Sequence, residues 1–159
     1  MNFDSFEDIK VLMDNFDPAA LLPDLTTLPG IVAAVTRFAV LAGPIVLLVL
    51  GLLYFLVSPR EANYHFGYRC YFGMGSEEAW RFTQRLAGIV WAVLGLVLTA
   101  VMLLASGGYA GKGVNEIIRS GLTCLFWEIG LAALSCLAIN TTAMLRYNRK
   151  GLRRNRYDI

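Results

Sequence analysis

Two charged side chains stand inside long apolar runs: Arg37 between Ile31 and Val57, and Glu128 between Leu122 and Ala138. An ionisable group at membrane depth is costly, and by default marks a functional position. Counted from the expected helix ends at about 1.5 Å per residue, Glu128 lies about 9–14 Å in from the N-terminal end of its helix, and Arg37 about as far into its own. The reading therefore pairs Arg37 with Glu128 across a helix bundle as an intramembrane ion pair. A carboxyl there also suits a proton or ion pathway. Other chemistry is thinly represented. His65 is the one histidine, and Cys70, Cys124 and Cys136 form no CxxC or Cys/His cluster. Cys124 and Cys136 are about 18 Å apart along one helix, beyond disulfide reach. No metal, no cofactor and no enzymatic activity are expected.

The elements that hold these residues follow from composition. The 159 residues are 57% hydrophobic and 16% charged, with a mean hydropathy of +0.55. A soluble domain is nearer 45–50% apolar and about 25% charged, so this chain calls for a lipid solvent. Apolar runs at about 31–57, 86–105 and 122–145 each approach or exceed the ~20 residues that cross hydrocarbon. The fold class predicted is all-α integral membrane, three transmembrane helices in one bundle over 31–145. Pro44 should kink the first helix. Ser76 can cap the second, with Glu77 and Glu78 in its first turn. On that helix Gly88, Ala92, Gly95 and Thr99 make a small-residue stripe suited to close helix packing. The third run extends backwards through Val114, Ile117 and Ile118.

Residues 1–30 form an acidic amphipathic segment with Asp4, Glu7, Asp8, Asp14, Asp17 and Asp24 against Lys10. Residues 146–159 form a basic tail with Arg146, Arg149, Lys150, Arg153, Arg154 and Arg156. Arg60, Arg69, Arg81 and Arg85 lie between the first two spans. Positive loops stay inside, which predicts an outer N-terminus and a cytoplasmic C-terminus. Such a tail is drawn to anionic lipid at about 1 kcal/mol per basic residue.

The stretch between the first two spans reads Asn63-Tyr64-His65-Phe66-Gly67-Tyr68-Arg69, then Met74-Gly75-Ser76-Glu77-Glu78-Ala79-Trp80. Gly67 permits a turn with positive φ, Arg69 suits phosphate or carboxylate, and Trp80 suits the interface. The pattern Asn63, Gly67, Arg69, Trp80, Gly88 resembles the SdpI family of bacterial membrane proteins, in particular its short, three-helix members. The likeness is good over residues 47–106 and extends to the third helix only in character. Two positions depart from it. Cys70 stands where a threonine is common, and Thr83-Gln84-Arg85 stands where many relatives carry a histidine.

The resemblance implies a multi-pass protein of the bacterial cytoplasmic membrane, acting in immunity to a membrane-active peptide or in signalling by partner binding. Its contact residues would be Asn63, Gly67, Tyr68, Arg69 and Trp80. The expected partners are membrane lipids, a peptide toxin or another protein, and further copies in a homo- or hetero-oligomer; no specific nucleic acid is expected. Two other readings fit the residues: an accessory subunit of a larger membrane complex, and a small proton- or ion-coupled transporter centred on Glu128.

Overall fold

In a computed structural model the described residues are 28–58, 62 and 66–154. They form three helices: α1 (Leu28–Leu56), α2 (Glu77–Gly107) and α3 (Val114–Arg146). All three are long and apolar enough to cross a membrane, and the chain is a multi-pass membrane protein. Of the acidic segment expected over 1–30 only 28–30 are among the described residues, and Asn63 and the tail beyond 154 lie outside them.

Local chemistry sets the helix ends. Pro29 sits in the first turn of α1, where its missing N–H has no intrahelical partner to lose. Ser76 caps α2: its hydroxyl accepts the Ala79 N–H at 3.2 Å, and Glu77 and Glu78 follow in the first turn. A short turn at 108–113 joins α2 to α3, with Gly111 at φ +78°. Both α2 and α3 begin earlier than their apolar runs, at Glu77 behind the Ser76 cap and at Val114, as the capping residue and the backward extension of the third run predict. Their first three turns carry Glu77, Glu78, Arg81, Arg85, Glu116 and Arg119, so hydropathy finds the segment in lipid while hydrogen bonding continues into the interface.

The helices run up, down and up. α1 lies chiefly against α2, with α3 covering parts of both. Close approach depends on glycine at the contacts. A Cβ on Gly95 would collide with the Leu48 backbone nitrogen, and one on Gly51 with that of Ala92. Gly88 meets the backbone of Phe55 in the same way. Lipid tails are as apolar as the helix surfaces, so van der Waals contact at such approaches replaces the hydrophobic driving force. One apolar cluster, Val40, Leu98 and Met102, fills mid-bundle; a second, around Tyr68, Cys70, Ala87, Ile139 and Ala143, lies towards the end carrying residues 66–76. The outer faces are apolar too: Phe38, Leu104 and Phe126 are each at least three-quarters exposed. In water that would be an aggregation surface; in lipid it is the normal exterior.

Part of the basic tail folds back. The Asn148 side chain accepts the N–H groups of Lys150 and Leu152, and the Asn148 N–H donates to the Leu152 carbonyl. Gly151, at φ +70°, makes the turn. The Ser76 hydroxyl then donates to the Gly151 carbonyl at 2.7 Å, so one side chain both caps α2 and holds the tail.

Candidate functional site

One face of α2 carries Trp80, Thr83, Gln84, Ala87 and Gly88, all buried. At i, i+4 spacing Trp80, Gln84 and Gly88 stack along it. Residues 66–75 fold onto this face as a cap. Gln84 holds it: the Tyr68 N–H donates to Gln84 Oε1 at 2.7 Å, and Gln84 Nε2 donates to the Tyr68 carbonyl at 2.7 Å. Beside that clamp, Gly67 at φ +124° lies flat on the indole. A Cβ there would meet the Trp80 ring at 2.7 Å and Gln84 Oε1 at 2.9 Å, besides straining the backbone.

Tyr68 carries the clamp across to α3. Its hydroxyl lies 3.0 Å from Asn140 Oδ1 and 3.3 Å from the Cys136 carbonyl. Its ring meets Trp91 edge-on at 5.3 Å, and Trp91 Nε1 donates to the Ser135 hydroxyl at 3.1 Å. Tyr54 of α1 packs against both Trp91 and Phe66. Each helix thus contributes an anchor to the cap. Burial, aided by neighbours such as Cys136, pushes the Tyr68 phenol well above its ordinary range, so it stays a neutral donor.

Cys70 serves the turn that follows. Its carbonyl accepts the Gly73 and Met74 N–H groups, and its sulfur takes a further contact from the Gly73 N–H at 3.2 Å. Gly73 in turn lies under Thr83, leaving no room for a side chain. Between the buried Tyr68 and Cys70, Arg69 points outward, and Tyr71 is 69% exposed. Gly67, Tyr68, Arg69 and Trp80 therefore come together in one cap. In the sequence Thr83 and Gln84 stand out only as a departure from the family pattern; in the structure Gln84 supplies the clamp, while the Thr83 hydroxyl donates to the Ala79 carbonyl within α2 and packs over Gly73. The available signal was Gln84's position four residues before Gly88, on the packing stripe, where a buried amide requires partners.

The expected Arg37–Glu128 ion pair is not formed. Arg37 Nη2 donates to the Ser106 carbonyl in the last turn of α2 at 2.9 Å, a terminus that favours a cation. Thr36 faces Gly121, so Arg37 stands level with that point of α3, whereas Glu128 faces Gly43. The two charges are separated by about 9 Å along the bundle. With α3 starting at Val114, Glu128 is about 21 Å in, rather than the about 9–14 Å expected. Glu128 is 5% exposed, and its Oε1 has no hydrogen-bond partner among the described residues.

A family model described as the SdpI/YfhL protein family matches residues 60–141, just over half the chain, covering the cap, α2 and most of α3. No curated protein and no solved structure matches the chain.

Because Arg37 and Glu128 serve different partners, the losses in thermal stability from Arg37→Leu and Glu128→Leu should add in the double variant to within about 0.5 kcal/mol. A coupling above about 1 kcal/mol in that cycle would restore the ion pair.

Proposed function

The chain belongs to the SdpI/YfhL protein family, and on that premise we propose that this SdpI-like membrane protein works by recognition rather than by catalysis. The reading is immunity to a membrane-active peptide, or signalling through a bound partner, at the end of the bundle that carries the cap. The observation behind it is the presentation of Arg69. Its two neighbours are buried, the backbone on one side is clamped by Gln84, and the turn on the other is tied by Cys70. A side chain offered from so constrained a backbone loses little freedom on binding. Arginine beside an exposed aromatic, here Tyr71, is also the chemistry that dominates binding surfaces. The buried polar groups of the cap are engaged with one another, which suits a scaffold better than a set of reacting groups.

We place this end in the cytoplasm, within a bacterial cytoplasmic membrane. Arg69, Arg81, Arg85, Arg146, Arg149, Lys150, Arg153 and Arg154 gather there, against Arg37, Lys112 and Arg119 towards the other end. That asymmetry supports a C-terminus inside and an N-terminus outside. Reporters fused to the C-terminus should be active only if they function in the cytoplasm; a C-terminal reporter active only outside would reverse the orientation.

In sensitive cells challenged with membrane-active peptides, expression of the chain should raise survival. Arg69→Ala should reduce the gain about 30-fold, as for loss of a central binding arginine worth about 2 kcal/mol. Protection unchanged by Arg69→Ala at equal protein levels would remove Arg69 from the site.

A further inference from the structure

The folded-back tail and the start of α2 enclose a groove of about 710 Å³, within the size range of small-molecule sites. Its charged lining is Arg81, Arg85, Arg146 and Arg153 against Glu77 and Glu78. Several of these groups are engaged already. Glu77 pairs with Arg81 at 3.6 Å, Glu78 accepts the Tyr147 hydroxyl at 3.3 Å, and Arg146 lies over the Phe82 ring at 4.2 Å. Arg85 and Arg153 have no carboxylate within 4.0 Å among the described residues. The groove is therefore positive, and two of its guanidiniums keep their planar donor forks for an anion.

What adjoins the groove narrows the class of anion. Arg81 and Arg85 stand one turn apart on α2, and the same exposed stripe continues into the membrane as Ile89, Val93 and Leu96, each at least half exposed. Leu152, 61% exposed, stands at the groove's edge. A cationic head position followed directly by an apolar track along a spanning helix is the complement of a phospholipid. A free phosphate would use only the first part.

We propose that this groove is a headgroup site for an anionic phospholipid, with Arg85 and Arg153 taking the phosphate and the acyl chains lying along Ile89, Val93 and Leu96. The site is separate from the Arg69 surface and does not depend on the immunity reading. It gives the folded tail a purpose, since Arg153 reaches the groove only because the turn at Asn148–Gly151 returns the chain to Ser76.

The test uses the full-length protein in detergent, offered phosphatidylglycerol or phosphatidylcholine, with retained lipid read by native mass spectrometry. Phosphatidylglycerol should be retained in preference. The preference should fall about 30-fold in Arg85→Gln/Arg153→Gln, as expected for two basic groups near a lipid surface. Arg85→Lys/Arg153→Lys should keep part of it, and Arg119→Gln, at the opposite end, should keep all of it. Equal retention of the two lipids, retention of neither, or a glutamine double variant that behaves like wild type would overturn the proposal. Glycerol phosphate competing as well as the whole lipid would replace it with a free phosphate site. A glutamine variant with a lowered melting midpoint is judged by the lysine pair: intermediate retention there supports the site, and none refutes it.

Discussion

The side-chain amide of Gln84 uses both of its polar ends on one residue, accepting the Tyr68 N–H and donating to the Tyr68 carbonyl. In a buried setting neither backbone group has water to turn to. Leaving one unpaired costs about 1–3 kcal/mol, so the clamp fixes where the chain passes over α2. Much of the cap follows. With Tyr68 held there, its phenol reaches Asn140 on α3 and its ring meets Trp91. With the chain so close to the indole of Trp80, the preceding residue has to be glycine. Arg69, next along an immobilised backbone, points outward. A contact between one α2 side chain and one loop residue thus sets the surface on which the functional reading rests.

A cap of this kind suits a three-helix bundle in lipid. The helices gain nothing from hiding apolar surface that lipid covers equally well, so they depend on close approach and on hydrogen bonds between elements. Gly51, Gly88 and Gly95 provide the approach between α1 and α2. The bonds from Tyr68 to Asn140 and from Trp91 to Ser135 bring in α3, whose own surface is mostly exposed. Ser76 does the same for the tail by capping α2 and holding Gly151. The end carrying residues 66–76 is accordingly the well-tied one.

Much of the architecture was legible in the sequence because lipid imposes strong composition. Three apolar runs gave three helices, and Ser76 followed by two glutamates marked the cap of α2. The failures have physical causes. Hydropathy is blind to helical turns in the interface: the Ser76 cap and the backward extension to Val114 locate the true helix starts, whereas a depth for Glu128 counted from the apolar run alone falls short. Pairing it with Arg37 assumed that charges seek each other, whereas the end of α2 offered Arg37 a carbonyl nearer its own level. Gln84 is visible in the sequence only as a departure from the family pattern, since nothing but its phase with Gly88 marks it as buried. The charge of the tail predicts its attraction to anionic lipid and says nothing of its fold-back. Yet Asn148 and Gly151, three apart, are turn residues in sequence as well as in structure.

Cys70 offers a direct view of the clamp, because its thiol is buried beneath the cap that Gln84 holds down. The measurement is the rate of maleimide labelling of Cys70, with Cys124 and Cys136 replaced by alanine, in the otherwise native chain and in Gln84→Leu. The account predicts slow labelling in the first and a rise of at least about tenfold in the second, matching loss of about 1.4 kcal/mol or more of local stability. Rapid labelling of the native cap, or a rate indifferent to Gln84→Leu, would contradict it.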